Sequence, residues 1–276
     1  MCKQAWRADS PRRSLCLGCG GKALTAFVDV GACDAPVYDG GACDDAVAGV
    51  LRGVVWDEES PFDADDFERY DMSSDTLFYD SPRFVKHVDD SALAALTAWY
   101  ARSLPASGSG AAVLDICSSW VSHYPEGYTN ARVAGLGMNE EELARNPVLT
   151  EHVVHDLNAD PRLPYEDESF DYITNCVSVD YLTRPLEVFE DLGRVLKPGG
   201  TAVMSFSNRF FPSKVIAGWG SSSDLEHVWT VGAYFHYGGK GRFEPAVAED
   251  LTPRSRPLLS QDSDPMYVVF ATKKSA

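Results

Sequence analysis

Cys16-Leu-Gly-Cys19, Cys33 and Cys43 put four thiols in the first fifth of the chain, enough in number for one zinc ion. The second pair lacks the close spacing that forms a zinc knuckle, so no metal site is expected. Cys117 and Cys176 fall instead in apolar, strand-like runs. An odd total of seven cysteines, with no recognisable secretory leader, is the pattern of reduced thiols in an intracellular protein. The six histidines are the side chains suited to proton transfer near neutral pH, although a lone histidine is as often a packed or exposed bystander. No nucleophile elbow marks a Ser-His-Asp arrangement.

Two segments carry more information than any single side chain. The run Phe170-Asp-Tyr-Ile-Thr-Asn-Cys-Val-Ser-Val179 is β-branched and apolar, as expected of a strand buried on both faces of a parallel sheet. Leu186, Phe189, Leu192, Val195 and Leu196 then recur at helical spacing. Lys197-Pro-Gly-Gly200 stops that helix, and Thr201–Phe206 is the next strand. Strand, helix, turn and strand make one right-handed βαβ unit. Further strands are expected at Ala111–Ile116, Arg132–Leu136 and His152–Leu157, with a last pair at Arg242–Val247 and Met266–Ala271. A helix is expected over Arg83–Ser103, with Phe84, Val88, Leu93, Leu96 and Tyr100 facing the core, and another over Asp224–Tyr237.

The chain has 276 residues, 45% of them apolar, and a formal charge of −17. That is enough for one ordinary domain with a real core. The acidic balance argues against a nucleic-acid partner, which requires a basic face. No apolar run reaches the length of a membrane span. Residues 1 to about 55 read as a poorly ordered leader, and the acids from Asp57 to Asp80 as a solvated linker. The expected division is therefore 1–76 leader and linker, and 77–276 folded domain. Arg7, Arg12, Arg13 and Lys22, with few acids nearby, have the composition of an organelle import peptide; otherwise the cytoplasm is the expected site.

Leu163-Pro-Tyr-Glu-Asp-Glu-Ser-Phe-Asp171 followed by Arg194-Val-Leu-Lys-Pro-Gly-Gly200 resembles the second half of the core of class I S-adenosylmethionine-dependent methyltransferases, in particular the small-molecule branch. The resemblance spans residues 111 to 207. It implies a Rossmann-like, doubly wound seven-stranded sheet, mostly parallel, with a C-terminal antiparallel hairpin. It also implies S-adenosylmethionine as cofactor and a small-molecule acceptor.

Carried over residue by residue, Asp115 matches the acid that ends the family's first strand. Cys117, Ser118 and Ser119 then stand in its glycine-rich turn, with Val121 where a further glycine is usual. Gly137 falls on the usual ribose-binding acid, Met138 on an apolar residue against the adenine, and Asn139 on a ribose contact or a helix cap. Asp156 and Leu157 match the positions that recognise the adenine amine, and Asn175 lies at the strand end beside the sulfonium. His123, directly after the turn, and His87 are the candidate bases. Tyr79, Asn208, Arg209 and Tyr234 are candidate substrate groups. Two other readings stay open: a methyltransferase-fold binding protein without turnover, suggested by the missing glycines and acid, and a nicotinamide-dependent oxidoreductase, disfavoured because Gly-x-Gly-x-x-Gly is absent.

Overall fold

A computed structural model of the chain describes residues 14–16, 25–28, 44–253 and 263–275. In chain order its elements are β1 (Ser14–Cys16), β2 (Thr25–Val28), α1 (Asp44–Leu51), β3 (Val54–Val55), α2 (Asp75–Phe78), α3 (Asp90–Ser103), β4 (Ala112–Ile116) and β5 (Arg132–Gly137). There follow α4 (Glu140–Arg145), β6 (Glu151–Val154), β7 (Phe170–Cys176), α5 (Pro185–Val195), β8 (Leu196–Phe206), α6 (Ala217–Gly220), α7 (Asp224–Ala233), β9 (Val247–Asp250) and β10 (Tyr267–Thr272).

The large sheet has the order β6-β5-β4-β7-β8-β10-β9. Its first five strands are parallel, and β10 runs antiparallel to both β8 and β9. The expected seven-stranded architecture with its terminal antiparallel pair is therefore present. The β7–α5–β8 unit follows the apolar spacing closely, with Val188, Phe189, Leu192 and Val195 fully buried. Gly199 at φ +78° makes the turn that a side chain would strain.

Alternation along β4 sorts the core into two layers. Leu114 and Ile116 face the layer that contains α1, α5 and α7. Val113 faces the layer formed by α3 together with Tyr124 and Tyr128. Asp115 shares the face of Val113. Between β4 and β5 the described residues form no helix: residues 117–131 cross irregularly, with Tyr124 and Tyr128 buried edge-on, their rings 5.4 Å apart.

Three expectations are corrected. The helix expected from Arg83 begins at Asp90, because the Asp89 carboxylate accepts from the amides of Ser91 and Ala92 and caps it. Phe84, left outside, is only partly buried; it packs edge-on to Trp120 and lies under the Arg145 guanidinium. The strand expected at Arg242–Val247 lies at Val247–Asp250 instead, since Pro245 has no amide to donate and Phe243 turns into the core.

The third correction concerns residues 44–76, which pack on the domain. Val47, Val50 and Leu51 of α1 belong to the main core, against α7 and β9. Phe62 and Phe67 pack on Tyr234, at 5.2 and 6.3 Å between ring centroids. Farther along, Lys214 is 1% exposed and pairs with Asp71 at 3.1 Å and Asp75 at 3.3 Å, while Arg69 holds Asp75 at 2.9 Å. Burial pushes the Asp75 carboxyl up, but hydrogen bonds from Arg69 and Asn158 outweigh it and hold the group ionised. Lys214 must remain paired, because an unmatched charge at that depth is costly. Apart from β1 and β2, the leader and its cysteines up to Cys43 lie outside the described residues.

Leu51→Ala should cost about 2–5 kcal/mol in a urea titration, the usual penalty for emptying a buried leucine site. A chain starting at residue 77 should melt well below one starting at residue 44. Equal melting temperatures would return residues 44–76 to the status of a linker.

Candidate active site

Ligands of open α/β sheets bind at the carboxyl ends of the parallel strands. A cavity of about 310 Å³ lies there, at the ends of β4, β5 and β7. Its walls come from the turn after β4 (Cys117–Val121 and His123), from Leu136, Met138, Asn139 and Glu142, and from His155, Leu157 and Asn158. Cys176–Ser178, Tyr181 and Phe211 close another side. Residues between Asp75 and Val88 form the remaining wall as a strap.

Asp115 organises the floor. Parallel register sets it beside Thr174, whose hydroxyl donates to Oδ1 at 2.8 Å. Ser118 and Ser122 donate to Oδ2 at 2.6 and 2.7 Å. Burial raises this carboxyl to about 6, against the pull of those three hydroxyls. The result is a rigid knot that fixes the turn. Cys117 adopts φ +53°, the left-handed conformation that glycine ordinarily takes. The chain thus keeps a glycine-like backbone without the glycine, at a cost of about 1–3 kcal/mol. Val177 at φ +45°, at the end of β7, carries a similar strain. Burial pushes the Cys117 thiol up to about 12, so it is a small neutral wall and not a nucleophile.

Gly137 has a structural explanation that its sequence position does not show. A Cβ there would come within 2.2 Å of the Ser118 carbonyl oxygen, and the Ser118 amide donates to Leu136 at 2.8 Å. The turn after β4 is pressed against β5, leaving no room for an acid at position 137. Glu142, one turn into α4 and only 7% exposed, supplies a carboxylate to the cavity instead. Its Oε2 accepts from the Ser119 hydroxyl at 2.5 Å and its Oε1 from the Arg83 amide at 2.6 Å. Asn139 caps α4 by accepting from the Glu142 amide, and its Nδ2 donates to the carbonyls of Tyr79 and Asp80, which ties the strap down.

Of the residues singled out from the sequence, Tyr79, His87, Asp115, Cys117, Ser118, Ser119, His123, Met138, Asn139, Leu157 and Arg209 line the cavity. Asn175 lies just beneath it, fully buried, with Oδ1 lacking any hydrogen-bond partner. Asp156 lies outside the lining; its Oδ1 accepts from the amides of Asn158 and Ala159 and shapes the turn that presents Leu157. Asn208 is exposed and absent from the wall, and Arg209 sits at the mouth paired with Asp264 at 2.7 Å.

Tyr234 is corrected outright: it is buried in the opposite layer against Phe62, Phe67 and Phe189, away from the cavity. The sequence reading does not single out Glu142, Arg83 or Tyr181, all of which line the cavity. A helical surface pattern hides the first, and only tertiary packing brings the others to the cavity.

The two histidines behave differently from free imidazole. Burial, reinforced by the nearby Lys86 charge, lowers His123 to about 4, and desolvation at the mouth lowers His87. Both shifts favour the neutral ring, and at His123 so low a pKa makes the imidazole a weak acceptor of protons.

The sheet order and the cavity at its carboxyl edge are those of a doubly wound, mostly parallel α/β domain with a terminal antiparallel pair. Residues 107–204 match the family model described as a methyltransferase domain. Among curated proteins, the malonyl-[acyl-carrier protein] O-methyltransferase of Marinomonas sp. is 33% identical over 78 residues, 28% of this chain and 29% of its own length. The demethylmenaquinone methyltransferase of Staphylococcus haemolyticus is 32% identical over 101 residues, 34% of this chain and 42% of its own. The chain thus spans less than half the length of either relative. A solved S-adenosylmethionine-dependent methyltransferase from Mesorhizobium loti shares 19% identity at a TM-score of 0.46, covering 65% of this chain and 98% of that one.

Gly137→Asp, which puts an acid where the resembled methyltransferases carry one, should lower both melting temperature and S-adenosylhomocysteine affinity, because its Cβ displaces the Ser118 carbonyl. Calorimetry and a thermal melt check this. A gain in affinity would show that the turn after β4 yields freely.

Proposed function

We propose that this chain is a methyltransferase that holds S-adenosylmethionine in the cavity at the β4–β5–β7 edge and methylates a small-molecule acceptor. The observation that carries the reading is the conjunction of the Asp115-anchored turn with the left-handed backbone at Cys117, which brings main chain up to the cavity wall.

The residues present suit the cofactor. Leu136, Met138 and Leu157 offer an apolar slot for a base. Glu142 supplies the carboxylate for a ribose diol in place of residue 137. The buried Oδ1 of Asn175 lacks a donor that an ammonium group would provide, and Nη1 of Arg83 is buried without a partner, ready for a carboxylate. When bound, S-adenosylmethionine supplies a methyl group already activated on a sulfonium. The chain's own work is therefore to orient the acceptor, exclude water and accept a proton. The strap from Asp75 to Val88, fastened by Lys214 and Asn139, covers the cavity and serves the second of these.

A charge of −17 supports a metabolite over a nucleic acid as acceptor. The two curated relatives, named for malonyl-[acyl-carrier protein] and for demethylmenaquinone, add weight to a metabolic acceptor. Among the described residues no helix is long and apolar enough to cross a membrane.

Calorimetry should show S-adenosylhomocysteine binding at micromolar concentrations. Glu142→Ala should weaken it by about 1–3 kcal/mol, the effect of removing a buried hydrogen-bond acceptor. No heat and no thermal shift at millimolar ligand would overturn the assignment. With a deproteinised metabolite extract as acceptor pool, the protein should convert S-adenosylmethionine to S-adenosylhomocysteine. Binding without conversion would favour the reading of a fold kept for binding alone.

A further inference from the structure

The chain carries 41 acids against 24 lysines and arginines, yet the free charge at the mouth of the cavity is positive. Three cations line it: Arg83 and Lys86 of the strap, and Arg209 of the loop after β8. The acids in the same wall are engaged from within. Asp115 accepts from three hydroxyls, Asp75 from Arg69 and Asn158, and Glu142 from Ser119 and the Arg83 amide. Asp90 and Asp264, which pair with Lys86 and Arg209, are not part of the wall. The Lys86 charge reaches inward as far as His123. An acidic protein that sets cations around one opening draws anions there and turns them away elsewhere.

Arg209 is the built part of this arrangement. Its Nε donates to Asp264 Oδ1 at 2.7 Å, and the Asp264 side chain is only 12% exposed. Asp264 is fixed in turn by Asp89. The Asp89 amide donates to Asp264 Oδ2 at 2.9 Å, the Asp264 amide donates back to Asp89 Oδ2, and Asp89 caps α3. One edge of the guanidinium is therefore fastened to the start of a core helix. Among the described residues its two Nη groups have no partner, and the side chain is 63% exposed. A guanidinium held by Nε with both terminal groups free has the geometry to take a carboxylate in two parallel hydrogen bonds.

The wall beside this fork is aromatic. Phe210 and Phe211 follow Arg209 directly and also line the cavity. Phe211 meets the rings of His87 at 5.3 Å and Tyr181 at 6.1 Å between centroids. Arg83 does not compete for the same role, since its free Nη1 is buried and assigned to the cofactor.

We propose that the methyl acceptor is an organic carboxylate and that Arg209 anchors it. The inference rests on the methyltransferase reading and names the substrate class of that site. The carboxylate meets the two Nη groups at the mouth, Lys86 adds a second positive charge that steers it in, and the apolar body of the acid lies inward against Phe211. One free guanidinium edge matches the two oxygens and single charge of a carboxylate. A phosphate dianion would leave negative charge unmatched in a chain already at −17.

The test uses the full chain, S-adenosylmethionine labelled in its methyl group, and a deproteinised metabolite extract split on an anion-exchange resin. Label transfer should be supported by the retained fraction. Phosphatase treatment of that fraction should leave the rate unchanged, and amidation of its carboxyls should abolish it. In Arg209→Gln the amount of retained fraction giving half-maximal rate should rise about tenfold, with the maximal rate within about threefold of wild type. Arg209→Lys keeps the charge without the fork and should recover only part of the loss. S-adenosylhomocysteine affinity and melting temperature should stay at wild-type values in both variants, since the side chain is exposed and bonds only Asp264.

Transfer supported by the unretained fraction, loss of transfer on phosphatase treatment, or an unchanged half-maximal amount in Arg209→Gln would each overturn the inference. A fall in S-adenosylhomocysteine affinity in that variant would also overturn it, by assigning Arg209 to the cofactor. No transfer from either fraction, or no S-adenosylhomocysteine binding by the wild type, would instead remove the methyltransferase reading, and this inference with it.

Discussion

The structure depends on one buried carboxylate and the hydroxyls that converge on it. Asp115 lies one residue before the end of β4, facing the α3 layer, and would be expensive there unsatisfied. Thr174, Ser118 and Ser122 satisfy it, and each also fixes something else. Thr174 bonds to Tyr124, Ser122 accepts from Asn146, and Ser118 reaches across to β5. The turn after β4 is held by these bonds and not by a helix, since none follows it. That explains how Cys117 keeps a left-handed backbone and why position 137 admits only glycine.

A second constraint closes the cavity. Lys214, Asp75 and Arg69 form a buried ion cluster, with the half-exposed Asp71 at its edge, that joins the strap to the loop after β8. Asn158 extends the cluster to the turn after β6. Removing one partner would leave a charge stranded in the interior. The acids before residue 76, which look like solvent-facing charge, therefore include two that hold the site shut. The acidic surplus of the chain is in part structural.

The legible portions of the sequence are those in which local pattern and tertiary role coincide. β7, α5 and β8 announced themselves because a doubly buried strand and a one-sided helix have distinct periods, and Lys-Pro-Gly-Gly marks the boundary. β4 and β5 were placed to within a residue for the same reason. The start of α3 is hidden because the apolar residues before Asp89 continue a helical spacing that the aspartate cap interrupts. Val47, Val50, Leu51, Phe62 and Phe67 were hidden among glycines and acids, each too isolated to form a pattern. At the site, many of the residues singled out from the sequence meet around one cavity. Tyr234 approaches the sheet from the other face, and Glu142 is not legible because burial of a charge is a tertiary fact.

The central claim is that the cavity at the β4–β5–β7 edge, walled by the strap, is where the cofactor binds. Amide hydrogen exchange with and without S-adenosylhomocysteine tests it directly. Protection is predicted in residues 116–121, 136–143, 155–158 and 79–88, with the α3–β10 surface around Trp99, Arg102 and Phe270 unchanged. Protection confined to that surface, or none at saturating ligand, would contradict the account.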